Sequence, residues 1–134
     1  MKRLENKVAL ITGGSSGIGF ESARKMVEQG AVVYITGRRE QALKNAGIGR
    51  YVKLEELTEE EIDRTLDTNV KGTIFTVQAM LPILSEGASI ILNTSITAEL
   101  GLPDFSLYAA SKAAVRSFIH SWTTDLKSRH IRVN

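Results

Sequence analysis

Short apolar runs alternate along this chain with longer segments in which apolar residues recur at helical spacing. The four apolar runs are rich in valine, isoleucine and alanine, a composition typical of buried parallel strands: residues 7–12, 31–36, 88–94 and 131–134. The three helical segments run from Gly17 to Gln29, from Thr58 towards Pro82, and from about Ser106 to Arg129. This alternation predicts an α/β fold with a parallel sheet.

The helical segments carry end signals and apolar faces. Gly30 is the predicted stop signal of the first helix, and Thr58 with Glu61 has the spacing of a capping box at the start of the second. The residues predicted to face the core are, on the first helix, Ile18, Ala23, Met26 and Val27 and, on the third, Leu107, Ala114, Val115, Phe118, Trp122 and Leu126.

Size and composition indicate one globular domain over residues 1–134. The 134 residues are 43% hydrophobic and 24% charged, as in average soluble domains, and the net charge of +2 is too small to indicate a nucleic-acid partner. The chain has no cysteine, which excludes disulfides and thiolate metal sites and fits a reducing compartment. We expect a cytosolic protein without membrane segments, because no apolar run approaches transmembrane length.

Histidines offer no metal site. His120 and His130 have no acidic or cysteine partners at ligand spacing, so surface or interface roles are expected for both and no bound metal.

The segment TGGSSGIG, residues 12–19, lies between the first predicted strand and the first helix. Glycines at such a turn let a pyrophosphate approach the backbone and the positive end of the helix, and the two serines can donate to phosphate oxygens. A glycine-rich turn without a ligand is the plainer alternative, but this context favours dinucleotide binding.

Two arginines follow the second predicted strand, where a dinucleotide fold normally presents an acidic residue to the adenine-side ribose. Arg38, and with it Arg39, can pair with a 2′-phosphate through a planar charged fork, which favours NADP over NAD. A solvated arginine pair at a helix start is the alternative.

A second candidate site lies in residues 94–114. Tyr108 and Lys112 are four apart on a predicted helix and so share one face. An ammonium near a phenol stabilises the phenolate, which suits a general acid or base. Ser95 follows the third predicted strand, at the carboxyl end where open parallel sheets bind ligands.

Four motifs together resemble the short-chain dehydrogenase/reductase family over nearly the whole chain: TGGSSGIG at 12–19, DTNVKG at 67–72, NTSI at 93–96 and YAASK at 108–112. The resemblance implies a Rossmann-like, doubly wound fold and hydride transfer between a nicotinamide and a carbonyl or alcohol carbon of a small-molecule substrate.

The resemblance also implies roles for four catalytic residues. Tyr108 would give or take the hydroxyl proton, and Lys112 would bind the nicotinamide ribose and depress the pKa of the tyrosine. Ser95 would orient the substrate carbonyl, and Asn69 would hold a water in the proton relay. The expected cofactor-binding residues, for NADP(H) in preference to NAD(H), are Gly13, Ser15, Ser16, Gly17, Ile18, Gly19, Arg38, Arg39, Tyr108 and Lys112.

The chain departs from the family pattern by an internal deletion and a C-terminal truncation. The family's third strand and its flanking helices are missing after Arg39, and the chain passes directly to Asn45-Ala46-Gly47. That triplet is either the family's Asn-Ala-Gly motif without its strand or a helix end capped by Gly47. The chain stops at residues 131–134, before the family's substrate-covering helices.

The shortened chain still has an allowed topology. Right-handed crossovers between the predicted strands give a four-strand sheet in the order 2-1-3-4. Direct pairing of strand 3 with strand 1 would move Ser95 and Tyr108 by about one strand spacing, ~4.8 Å. Since misplacement by ~1 Å can reduce a rate ~100-fold, a non-catalytic, truncated or engineered nucleotide-binding or scaffold protein is the alternative to an enzyme. The family associates through helices that match residues 58–85 and 106–129, so a homo-oligomer, dimer or tetramer, is expected.

Overall fold

The computed structural model describes residues 2–37 and 48–134. They form two compact units, the first within residues 1–47 and the second spanning Ile48–Asn134. In the described residues no helix is both long and apolar enough to cross a membrane.

The first unit is a β–α–β arrangement that confirms the predicted elements. It contains β1 (Val8–Thr12), α1 (Gly17–Glu28) and β2 (Val32–Thr36). The two strands pair in parallel, from Val8 with Val32 to Thr12 with Thr36. Gly30 follows α1 with a φ of 94°, a left-handed conformation that favours glycine, and its N–H donates to the carbonyl of Val27 at 2.9 Å.

The predicted apolar face of α1 is partly wrong. Ala23 is buried and Met26 is half-buried, but the side chains of Ile18 and Val27 are 70% and 55% exposed. Gly19, Ala23 and Met26 form one stripe along the helix. Ile18 and Val27 are each one residue away from a member of this stripe, and one residue corresponds to a rotation of ~100° around the helix axis. The buried residues of α1 are the small Gly19 and Ala23, so the helix packs through its backbone at these positions.

The second unit contains three helices, one wide helical turn, two short strands and three 3₁₀ turns. In chain order the helices and strands are α2 (Glu59–Leu66), a π turn (Asp67–Lys71), α3 (Gly72–Met80), β3 (Ser89–Ile90), α4 (Ser106–Asp125) and β4 (Arg132–Val133). The 3₁₀ turns are Leu54–Glu56, Ile96–Ala98 and Lys127–Arg129. The predicted capping box is confirmed in one of its two bonds: the Thr58 hydroxyl accepts the N–H of Glu61 at 3.3 Å, whereas the Glu61 carboxylate pairs with Arg50.

The second predicted helix is interrupted by the π turn. The N–H of Gly72 donates to the carbonyl of Asp67, five residues back, instead of the usual four. The hydrophobic pattern does not reveal this widening, because the segments on both sides keep helical spacing. Asn69 lies within the wide turn and is 2% exposed.

The core of the second unit mixes apolar and polar side chains. Its buried apolar residues are Val115, Ile131 and Val133, and its buried polar residues are Thr65, Asn69, Thr97, Ser111 and Lys112. Of the predicted apolar face of α4, Val115 is buried, and five residues are half-buried: Leu107, Ala114, Phe118, Trp122 and Leu126. The rings of Phe118 and Trp122 stack with their centroids 4.8 Å apart.

Sheet pairing in the second unit is also parallel. Ser89 pairs with Arg132 and Ile90 with Val133, and the N–H of Leu92 extends the contact to the carbonyl of Asn134. The strands are shorter than the apolar runs predicted. The described pairings are therefore β1 with β2 and β3 with β4, and the full order 2-1-3-4 is not confirmed.

Candidate active site

The glycine-rich turn between β1 and α1 has the backbone that its sequence requires. Gly13 and Gly17 adopt φ values of 65° and 56°, in the left-handed region. Ser16 caps α1 in an extended conformation without a side-chain capping bond, and the first turn of α1 contains no acidic residue. A helix start of this kind is suited to an anion.

Gly14 holds this turn against β2. A Cβ atom at Gly14 would lie 2.6 Å from Cγ2 of Ile35, and the N–H of Gly14 donates to the carbonyl of Thr36 at 3.2 Å. Sequence reasoning did not assign a role to this second glycine of TGGSSGIG. The two adjacent glycines in the sequence hint at a close approach to another element, but they do not reveal that the neighbour is Ile35 on β2.

Ser15 supplies the direct test of whether a phosphate group fits this turn. In the described residues its Oγ is buried and has no hydrogen-bond partner. A buried hydroxyl without a partner loses about 1–3 kcal/mol, so such a group signals a missing acceptor. The donor chemistry of the turn therefore fits a dinucleotide phosphate.

Two sequence predictions fall outside the described residues. They are the proposed 2′-phosphate ligands Arg38 and Arg39 and the triplet Asn45-Ala46-Gly47. Both stay predictions.

In the second unit, Asn69 forms a buried hydrogen-bond junction. Its Oδ1 accepts the N–H of Ile48 at 2.8 Å, while its Nδ2 donates to the carbonyl of Ile48 at 2.7 Å and to Oγ of Ser111 at 2.9 Å. One amide thus holds both backbone groups of Ile48 and connects them to α4.

Ser111 extends this network towards the predicted catalytic tyrosine. It is fully buried, and its Oγ donates to the backbone carbonyl of Tyr108 at 2.7 Å. Sequence reasoning missed Ser111, although it lies within YAASK next to Lys112. A small polar residue on a helix gives no signal of its own, because its importance depends on a partner 42 positions away.

Tyr108 and Lys112 lie together, as predicted from their spacing. Tyr108 is half-buried, and Nζ of Lys112 lies 5.7 Å from the centroid of its ring. Lys112 is only 6% exposed and donates to the carbonyl of Asn93 at 2.8 Å. Burial lowers the pKa of the Lys112 ammonium below its ordinary value, because the charged form loses hydration. This ammonium has two further protons with which to bind a ligand.

Ser95 lies at the start of the 3₁₀ turn Ile96–Ala98. Its Oγ accepts the N–H of Thr97 at 3.2 Å and the hydroxyl of Thr97 at 2.9 Å. Because both contacts use Oγ as the acceptor, the Ser95 hydroxyl keeps its own proton for another partner. An ion pair between Glu99 and Arg116 joins the end of this turn to α4.

The structure thus places Asn69, Tyr108 and Lys112 in one connected cluster on the π turn and α4, with Ser95 on a turn that packs against α4. His130 pairs with Glu86 at 3.5 Å on the surface, and the described residues contain no group of three or more metal-binding side chains.

Comparison with known proteins identifies the family. The family model described as short chain dehydrogenase matches residues 7–44 and 42–134. The oxidoreductase asL5 of Sarocladium schorii is 35% identical over 178 residues, covering 100% of this chain and 72% of that protein. The short-chain dehydrogenase/reductase GME11373 of Pestalotiopsis microspora is 31% identical, and the match covers 98% of this chain and 68% of that protein.

A solved structure agrees with these relatives. A short chain dehydrogenase from Burkholderia cenocepacia, in complex with NADP, superimposes with a TM-score of 0.89 at 30% identity, covering 96% of this chain and 72% of that one. The relatives are named as oxidoreductases, which does not favour the non-catalytic alternative.

The comparisons also locate the shortening of the chain. The two segments that match the family model meet at residues 42–44, and the match to the Sarocladium protein extends over 178 positions, more than the 134 residues present. The relative therefore has residues inside the matched region that this chain lacks. With family model, relatives and fold in agreement, the chain belongs to the short-chain dehydrogenase/reductase family.

Proposed function

We propose that the protein is an NADP(H)-dependent oxidoreductase that interconverts a carbonyl and an alcohol, with Tyr108 as the proton donor or acceptor. The observation that carries this proposal is the buried Lys112 ammonium beside the Tyr108 ring, with Nζ 5.7 Å from the ring centroid. A buried cation requires compensation, and an adjacent phenolate provides it.

Each residue of the cluster has a definite task in this mechanism. Bound nicotinamide would supply or accept the hydride. Tyr108 gives its phenolic proton to the developing alkoxide in reduction and takes it back in oxidation. Ser95 donates its remaining hydroxyl proton to the substrate oxygen, which orients the carbonyl. Lys112 stabilises the phenolate and would bind a ribose hydroxyl, and Asn69 would hold a water molecule of the proton relay.

The preference for NADP(H) rests on charge. In the sequence, Arg38 and Arg39 occupy the positions at which the family pattern otherwise has an acidic residue. The Burkholderia relative was solved with NADP. The Ser15 hydroxyl, which has no partner among the described residues, would give the phosphate groups a further donor.

We also propose that residues 1–134 act as one Rossmann-like domain with strand order 2-1-3-4 in a cytoplasmic homo-oligomer. Exposed apolar side chains support association, since Phe75 on α3 is 60% exposed and Ile83 beyond it 71%. The triplet at 45–47 is proposed to be the family motif, because the second matched segment begins before it and Asn69 holds the next residue, Ile48.

Fluorescence titration with NADPH and, in parallel, NADH tests the cofactor proposal, and turnover of a carbonyl panel tests the chemistry. Tyr108→Phe should abolish turnover while leaving the NADPH Kd nearly unchanged. Tyr34→Phe is the matched control, because Tyr34 is exposed on β2 and should keep full activity. Absence of binding by either cofactor would contradict the proposal.

A further inference from the structure

The segment Ile48–Val52, here called the clasp segment, is fixed at both ends in the second unit. At one end Asn69 binds both backbone groups of Ile48. At the other, the N–H of Val52 donates to the carbonyl of Asp104 at 2.7 Å. Between them the Tyr51 ring stacks on Phe105, with centroids 4.3 Å apart. The clasp segment is therefore held against the start of α4.

Gly49 is the residue of this segment that meets Tyr108. A Cβ atom built on Gly49 would lie 2.4 Å from Cδ2 of Tyr108, 2.8 Å from Cγ and 3.1 Å from Cε2. Gly49 is not among the residues with positive φ, so alanine is compatible with the backbone here. The Tyr108 ring is thus the obstacle to a side chain at position 49.

The ring has little freedom to move away. The two nearest atoms, Cδ2 and Cγ, are at the base of the ring, where Cγ is attached to α4 through Cβ, and not at the tip of a flexible chain. Phe105 also packs against the ring, with ring centroids 4.6 Å apart. Lys112 lies near the ring as well. A change at position 49 must therefore displace the ring, the clasp segment, or both.

We propose that Gly49 is a positioning residue whose bare backbone sets the place of the Tyr108 ring, and so of its reactive hydroxyl. This inference rests on the proposed role of Tyr108 in proton transfer. Relief of the clash to an ordinary contact needs a shift of ~1 Å, and a displacement of that size can lower a rate ~100-fold.

Gly49→Ala is the test and Gly101→Ala its matched control, because a Cβ at Gly101 meets nothing within 4 Å and Gly101 also has no positive φ. Gly49→Ala should lower kcat ~100-fold while the NADPH Kd and the far-ultraviolet circular dichroism stay as in the unchanged protein. Gly101→Ala should alter none of these. A Gly49→Ala variant with full kcat would overturn the inference.

A second readout separates this inference from the proposed function. The Tyr108 ring resonances in the NMR spectrum are assigned as those lost in Tyr108→Phe. Gly49→Ala should shift them and Gly101→Ala should not, even if the unchanged protein shows no turnover. Unshifted resonances would overturn the positioning role, whereas shifted resonances with no turnover in any variant would overturn only the proposed chemistry.

A third variant covers a failure of Gly49→Ala to fold. Phe105→Ala in the same chain removes a ring that packs against Tyr108 and so gives the Tyr108 ring room to move. The double variant should fold, with kcat still well below that of Phe105→Ala alone. Equal kcat values for the two would contradict the proposal.

Discussion

Replacement of Asn69 by alanine should unfold the protein at a markedly lower temperature. Within the described residues the amide makes three hydrogen bonds, two to the backbone of Ile48 and one to Ser111, and its side chain is almost completely buried. Alanine removes all three bonds, and the groups that were bonded to the amide find no new hydrogen-bond partner inside the protein.

The magnitude follows from the number of bonds. Each contributes a net ~1 kcal/mol, so the loss should be about 3 kcal/mol. Ile48 is half-buried, and water can replace part of what its backbone loses, whereas Ser111 is sealed from solvent. For a chain of this size, about 3 kcal/mol corresponds to a fall in Tm of ~10 °C.

Chemical denaturation and thermal melts, followed by circular dichroism, measure this loss. Asn93→Ala is the matched control, because the Asn93 side chain is exposed and only its backbone carbonyl, which the variant keeps, binds Lys112. It should stay within ~0.5 kcal/mol of the unchanged protein. If Asn69→Ala lowers the unfolding free energy by less than ~0.5 kcal/mol, the reasoning that this junction fixes the clasp segment is refuted.

Three further predictions concern charge, cofactor and assembly. Lys112→Met should abolish turnover. Burial lowers the pKa of Lys112 below its ordinary 10.5, so the unfolded state binds this proton more tightly than the folded state does. The unfolding free energy of the unchanged protein should therefore rise relative to that of the variant as the pH increases up to 10.5. Denaturation series at several pH values measure this difference. Ser15→Ala should raise the NADPH Kd about 5–10-fold in fluorescence titrations, because about 1 kcal/mol of hydrogen bonding is lost. Ser85→Ala is the control, because Ser85 is exposed, and it should leave the Kd unchanged. Phe75→Glu should shift size-exclusion elution to a smaller species, and an unchanged elution volume would argue against α3 as part of the interface.

Local patterns predicted the elements of the fold well where neighbouring residues determine them. The stop at Gly30 and the cap at Thr58 depend on residues within one helical turn, and both are confirmed. Ile18 and Val27 were predicted wrongly, because small residues on the same helix allow a closer approach and take the buried positions. Hydrophobicity alone does not rank glycine above isoleucine at such a contact.

The candidate site, too, was predicted correctly only where neighbouring residues determine the contact. Tyr108 and Lys112 come together because four residues make one turn of a helix. Ser111, Gly14 and Gly49 escaped notice because each acts on a residue of another element, and a small residue does not reveal in sequence which neighbour it approaches. Contacts between distant segments appear only once the chain is folded.

The wide turn at Asp67–Lys71 has a consequence for how the gene can change. The bond from Gly72 reaches one residue further than in an ordinary helix, so loss of a single codon here would let the regular spacing form and leave α2 and α3 joined. Asn69 would then turn by ~100° and leave Ile48 and Ser111. A deletion of one residue is therefore absorbed by the helix but not by the junction, so at this turn the chain can lose the Asn69 hydrogen bonds and still keep α2 and α3.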